Sequence, residues 1–336
     1  FSIFLGKKNI SSTELFLCLA SSVVLVPSLM LLLPLLPFLL LLLPPAAAWE
    51  SRYYPHLGGL TGDEIRAQYL GVLDDAPALD EKGAGAHLDE KGDEIRSEAF
   101  PNSFDWRDTP QARCIGPVVD QGKCGSCWAV SSTESMSDRR CIRLNSDKSP
   151  RLALSSLDVI ACDHMCEGLI KCCRGCTGGY PRLAFQYFEH KGVVSETCMP
   201  YNLTRSLLCP LPKCSKPLND TAFRAKHARQ VLGGPLAMQH EIQTQGPIAA
   251  TFTVFEDFMT YSHGIYAYTS GKRLGLHAVK VVGWGQTKNG TKYWKAFNSW
   301  GESWGMNGTF NIAFGQCGFE ESVYTATPCM PGEICV

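Results

Sequence analysis

The chain has 336 residues, enough for one large or two ordinary domains. Apolar residues make up 45% and charged residues 19%, a globular composition that argues against a disordered, collagen-like or coiled-coil chain. A net charge of −1 gives no electrostatic case for a nucleic-acid partner, and 16 cysteines point to an exported, disulfide-bonded protein rather than a reduced cytosolic one.

No charge occurs between Glu14 and Glu50. By length this leucine-rich stretch would span a bilayer, but Pro27, Pro34, Pro37, Pro44 and Pro45 make it a poor uninterrupted helix. With Met30 as a start, the apolar run 31–43 followed by Ala46-Ala47-Ala48 reads as a cleaved signal; a retained anchor is the alternative. Residues 1–48 are therefore expected to be a targeting segment that delivers the rest to the secretory pathway, leaving Cys18 outside the mature protein.

Residues 50–99 carry 12 acids and 5 bases, whereas residues 100–336 carry 19 acids and 24 bases. The acidic stretch over 49–99 reads as a solvated linker or as a pro-segment that sits on the basic body until removed. Leu79-Asp-Glu-Lys-Gly83 recurs at 88–92, a local duplication too short for a solenoid. The segment shows no long amphipathic helix.

The strongest local signal is Asp120-Gln121-Gly122-Lys123-Cys124-Gly125-Ser126-Cys127-Trp128. Gly125 and Ser126 suit a turn feeding a helix, and Trp128, Ala129, Thr133, Met136 and Arg140 follow at helical spacing. Cys127 then sits at a helix N-terminus, where free N–H groups and the dipole favour a thiolate, and a partner imidazole lowers its pKa further. The Gln121 side-chain amide and the Cys127 backbone N–H are candidate oxyanion donors. Cys124 and Cys127 also match the C-x-x-C spacing of a redox pair, without the preceding βαβ pattern that such a pair needs.

His277-Ala-Val-Lys-Val-Val-Gly-Trp-Gly285 reads as a strand with the histidine at its head. Tyr293-Trp-Lys-Ala-Phe-Asn298 is a second strand leading into a turn, and Asn298 is placed to fix the tautomer of His277. Further helices are expected at 127–140, 155–161 (Ser155 with Asp158 as cap) and 181–189, and further strands at 248–254, 264–268 and 309–314.

These residues resemble the papain family of cysteine peptidases, and within it the cathepsin B branch. The likeness runs from Ser103-Phe-Asp-Trp-Arg107 to about residue 327, through Cys176-Thr-Gly-Gly-Tyr-Pro181, Cys198-Met-Pro-Tyr201 and Cys317-Gly-Phe-Glu320. It implies an α+β, two-lobed fold over 100–336: a helical lobe, a β-barrel lobe and the active-site cleft between them. It implies Cys127 as nucleophile, His277 as acid–base, Asn298 as orienter and Gln121 as oxyanion donor. Trp300 would shield the His–Asn bond, Gly178 and Gly179 would pair with extended substrate, and Tyr180, Pro181, Ala250 and Ser322 would line subsites. It also implies no cofactor, protein or peptide substrates, the chain's own pro-segment as partner, inhibition by cystatin-like and epoxysuccinyl inhibitors, a monomer, and a lysosome-like or extracellular location.

Two departures from the branch stand out. The stretch between Cys198 and Cys214 holds 15 residues and no histidine, where the family has two that hold a substrate carboxylate. This predicts an endopeptidase with little carboxydipeptidase activity. Ser322 replaces an acid at the floor of the second pocket, which predicts an apolar residue there, with Glu320 and Glu321 close by. By the same resemblance Cys114–Cys141 and Cys124–Cys176 are bridges, Cys162 or Cys166 closes a local loop, and Cys198–Cys209 and a bond to Cys214 are plausible. Cys329 and Cys335 can pair and Cys317 stays single. Cys162, His164, Cys166, Cys172, Cys173 and Cys176 offer a zinc-like spacing, but disulfides fit an exported chain better, and no metal site is assigned. Glycosylation sequons occur at Asn202, Asn219, Asn289 and Asn307.

Overall fold

The computed structural model describes residues 49–73, 100–145, 150–168, 171–204, 208–210, 214 and 222–335; the expected targeting segment and most of the acidic stretch lie outside the described residues. In chain order the elements are β1 (Glu50–Ser51), α1 (Gly62–Tyr69), β2 (Phe104–Asp105), α2 (Cys127–Leu144), α3 (Ser156–Cys162), β3 (Cys166–Glu167), β4 (Lys171–Cys172), α4 (Pro181–His190), β5 (Ala225–Gln230), α5 (Gly234–Gln245), β6 (Ile248–Phe255), β7 (Tyr261–His263), β8 (Ile265–Tyr266), β9 (Arg273–Gln286), β10 (Lys292–Phe297), β11 (Thr309–Ala313) and β12 (Ser322–Pro328).

Helices α2, α3 and α4 form one lobe around Trp128, Met136, Leu183, Phe185 and Phe188. Each large apolar side chain buried there contributes about 1.5–3 kcal/mol. The expected caps are present: Ser155 accepts from the Asp158 amide, and Pro181 opens α4. Helix α2 ends where Asn145 turns left-handed and donates to the Cys141 and Ile142 carbonyls.

Almost every face of α2 is buried, which its sequence disguises. Ser132, Thr133 and Ser137 bond back to carbonyls four residues earlier, so their hydroxyls need no water. Arg139, not Arg140, is the arginine that enters the core. It has no exposed surface, pairs with Glu241 of α5 at 2.6 Å, and donates to the carbonyls of Gly246 and Ala326. A buried charge is tolerable only with this degree of satisfaction.

The second lobe is an eight-stranded sheet in the order β5-β12-β6-β9-β10-β11-β8, with β2 also on β9. Its pairs are antiparallel except β11 with β8. A cluster of Phe252, Phe258, Tyr261, Trp300, Trp304 and Phe310 fills its core. Strand β9 extends well beyond the expected 277–283, so His277 lies inside the strand rather than at its head. Flanked by β6 and β10, it is a rigid mount.

Of the six disulfides among the described residues, Cys114–Cys141, Cys124–Cys176, Cys162–Cys209, Cys166–Cys172 and Cys198–Cys214 lie in the helical lobe, and Cys329–Cys335 closes the tail. The expected Cys198–Cys209 bond is replaced: Cys209 ties its loop to the end of α3, and Cys198 takes Cys214. Cys162, Cys166, Cys172 and Cys176, four of the zinc-like set, are thus bonded. Cys127, Cys173 and Cys317 are free.

Candidate active site

Cys127 is the first residue of α2, and β9 delivers His277 from the other lobe. His277 Nε2 and Asn298 Oδ1 are 2.7 Å apart. The Asn298 amide donates to the Gly308 carbonyl at 2.9 Å, which anchors the turn after β10. The Trp300 ring lies 4.8 Å from the imidazole and covers it, with Phe252 at its edge. His277 Nδ1 has no hydrogen-bond partner among the described residues, so this nitrogen is available for chemistry. The Cys127 sulfur accepts from the amide of Ala278, next to the histidine, at 3.5 Å.

The cleft is filled by the chain's own residues 69–73. Helix α1, held by a Thr61–Glu64 capping box, leads into it, and Arg66 Nε docks on the Leu274 carbonyl at 2.8 Å. The Gly71 amide donates to the Cys127 sulfur at 3.1 Å. Gln121 Nε2 and Trp300 Nε1 both donate to the Tyr69 carbonyl, at 3.2 and 3.1 Å. The Gly179 amide donates to the Gly71 carbonyl at 2.9 Å, and the Leu73 amide to the Gly179 carbonyl at 3.3 Å, in parallel sense. The glycine pair therefore meets extended backbone. At Gly178, whose φ is 124°, a Cβ would stand 2.8 Å from the Leu73 side chain and 3.0 Å from the Gly71 carbonyl.

This cover reverses the expected electrostatics. Burial pushes the Cys127 thiol up to about 11, although the Ala278 and Gly71 amides favour the thiolate. Burial likewise pulls His277 down to about 4 against its bond to Asn298. With residues 69–73 in place the pair rests as neutral thiol and neutral imidazole; loss of water outweighs the helix N-terminus.

Of the other expected site residues, Tyr180 and Pro181 stand at the start of α4, and Ser322 opens β12 opposite Thr251. Ala250 is fully buried in the sheet core between Val279 and Val323. Glu320 is occupied by Trp294 Nε1 at 2.8 Å and the Gly315 amide at 2.9 Å, and the Glu321 carboxylate lies against Gly318. Three supporting residues escape sequence reasoning. Ser299 Oγ donates to Gln121 Oε1 at 2.5 Å, which turns the amide nitrogen to the cleft. The Tyr201 hydroxyl bridges Ser126 Oγ and the Gln121 carbonyl. Gly71 carries no motif around it. Ser299 had a signal in its place beside Asn298, and Tyr201 in the Cys198-Met-Pro-Tyr201 motif.

A cysteine at a helix start, a histidine on a facing strand and an amide donor beside them are the arrangement of a two-lobed thiol peptidase. The family profile described as papain family cysteine protease matches residues 100–327, and the chain belongs to that family. It is 37% identical over 273 residues to a cathepsin B-like cysteine proteinase 5 of Caenorhabditis elegans, covering 69% of this chain and 76% of that one. It is 37% identical over 248 residues to a cathepsin B of Dictyostelium discoideum, covering 68% and 75%. Among solved structures it is similar to proCathepsin B S9 from Trypanosoma congolense, with a TM-score of 0.69, 29% identity, and 84% and 94% of the chains covered. The chain is thus a cysteine peptidase of that family, similar to cathepsin B-like members.

Proposed function

We propose that the chain is the zymogen of a cysteine endopeptidase whose nucleophile is Cys127. One observation carries this: a peptide backbone lies across the cleft with its Tyr69 carbonyl on Gln121 and its Gly71 amide on the Cys127 sulfur. After removal of the segment, the Cys127 thiolate attacks a substrate carbonyl carbon. The tetrahedral oxyanion accepts from Gln121 Nε2 and the Cys127 N–H. The His277 imidazolium gives its proton to the leaving amine, the C–N bond breaks, and water then hydrolyses the thioester. Asn298 orients the ring and Trp300 keeps water from the His–Asn bond. The test is an epoxysuccinyl inhibitor given to the processed chain: modification of Cys127 alone is expected. A redox reading is disfavoured because Cys124 is already bonded to Cys176.

In the same reading residues 1–48 are the targeting segment, 49–99 the pro-segment and 100–336 the peptidase, a monomer of the secretory pathway, in a lysosome-like or extracellular setting, open to cystatin-like inhibitors. None of the described helices is long and apolar enough to cross a membrane. With Ser322 at the second pocket and Glu320 held by Trp294, an arginine before the cleaved residue has no counter-charge at that floor. A Phe-Arg fluorogenic amide is therefore expected to be cleaved at least about tenfold faster than its Arg-Arg counterpart, a difference of about 1.4 kcal/mol. Faster Arg-Arg cleavage would reverse the pocket assignment. Without histidines between Cys198 and Cys214, release of C-terminal dipeptides is expected to be slow.

A further inference from the structure

Arg140 lies thirteen residues after Cys127 on α2, about 20 Å along the helix axis and far from the cleft. There α2, the segment 222–224 and the C-terminal loop enclose a pocket of about 270 Å³, lined by Arg140, Phe223, Arg224, Met330 and Glu333 among others. Its walls are held in place. Cys329–Cys335 closes the loop, the Cys329 amide donates to the Arg224 carbonyl at 3.0 Å, and Arg143 donates to the Pro328 carbonyl.

The charges around the pocket are not balanced. Glu333, the only carboxylate among its described lining residues, accepts from Lys226 Nζ, pairs with Arg143 at 3.3 Å and accepts from the Met330 amide at 3.0 Å. Those partners hold its carboxyl down at about 2. It is ionised, and its charge is already matched. Arg140 has no such partner among the described residues. Its guanidinium lies 4.5 Å over the Phe223 ring, and its Nε is buried without a hydrogen-bond acceptor. Burial is what acts on it, lowering its pKa, with no carboxylate among the described residues to oppose that. Arg224 stands exposed on the same wall, with no ion pair among the described residues. The buried Nε–H without an acceptor is costly and leaves this guanidinium's charge unopposed, so an anion at its terminal nitrogens is favoured.

We propose that this pocket binds a small organic carboxylate, its oxygens forked by Arg140 and Arg224 and its carbon skeleton resting on Phe223 and Met330. A planar guanidinium bonds a carboxylate through two parallel N–H donors, which makes it selective as well as attractive. The apolar wall has no use for a bare inorganic anion. The volume lies just under the range of drug-sized sites, which sets the size of the ligand.

The test titrates the full chain with benzoate, at ionic strength held constant with chloride, and follows the Arg140 Nε–H resonance by NMR. Saturable displacement of that resonance is expected. For Arg140→Gln and Arg224→Gln, binding is followed through the Met330 methyl resonance, and at least tenfold weaker binding is expected with unchanged melting temperature. Arg224 is exposed, so that variant keeps the test valid if Arg140→Gln folds poorly. Three results overturn the proposal: no saturation, benzoate binding unchanged in both variants, or inorganic sulfate binding as tightly as benzoate, which marks unspecific anion attraction.

Discussion

Cys127→Ala is expected to lower hydrolysis of a Phe-Arg amide by at least about 10⁴-fold, since loss of the nucleophile leaves only substrate binding and the oxyanion donors. The fold is expected to survive. Sulfur is replaced by hydrogen at a site packed on all sides, and the loss is confined to one acceptor for the Gly71 and Ala278 amides, about 1 kcal/mol. Near-UV circular dichroism separates the two effects: an unchanged spectrum with activity gone is the expected pair of results. Activity within tenfold of the parent would remove Cys127 from the mechanism.

Gly71→Val in the uncleaved chain is expected to open the cleft without any cut in the backbone. A Cβ at position 71 would stand 2.1 Å from the Gly125 carbonyl oxygen and 2.3 Å from its carbon. Both are backbone atoms beside the start of α2 and cannot give way, so the segment must lift. If lifting removes about 3 kcal/mol of closure, an epoxysuccinyl probe reaches Cys127 at least about a hundredfold faster than in the uncleaved parent. Equal labelling of the two chains would show that residues 69–73 do not control access.

Closure is also expected to depend on acidity. In the covered cleft His277 is held at about 4, below its ordinary 6.5, so where Cys127 cannot ionise and pair with it, protonation favours the uncovered state. In uncleaved Cys127→Ala the covered state keeps this advantage in full above pH 6.5 and loses it as pH falls toward 4, by up to about tenfold per unit. Hydrogen exchange of the Gly179 amide, which donates to the Gly71 carbonyl, should quicken in that variant between pH 7 and pH 5 once the intrinsic rate is divided out. A flat corrected rate would place His277 outside the closure.

The parts of this structure that were legible in the sequence are those whose physics is local. Cys127 at a helix start depends on the Gly125-Ser126 turn just before it, and α3 and α4 announce themselves through Ser155 and Pro181. Helix α5 begins with Gly234 and Pro235, which read as a turn, and its apolar residues form no clear stripe. Strand β5 carries Lys226, His227 and Arg229 with no clean alternation, and it exists because β12 pairs with it from some hundred residues away. Helix α1 has a local signal in its Thr61–Glu64 cap, but residues 69–73 were hidden for a similar reason. Their order comes from Gly179, Leu276 and Trp300, not from their own composition. Disulfide partners behave alike: the Cys162–Cys209 bond depends on where a loop lands, which spacing cannot state.

The placement of the crosslinks resolves a conflict built into any thiol enzyme of this kind. The reaction needs one sulfur kept reduced, while the scaffold needs twelve kept oxidised. Cys114 and Cys124 have no exposed surface and Cys141 almost none, so free thiols in solution cannot readily line up on those two bonds. Cys166–Cys172 lies in an exposed two-stranded hairpin, the first place a reductant can reach. The burial of these cysteines therefore predicts a sacrificial order of reduction, with the outer hairpin opening before the two bonds that hold Cys127.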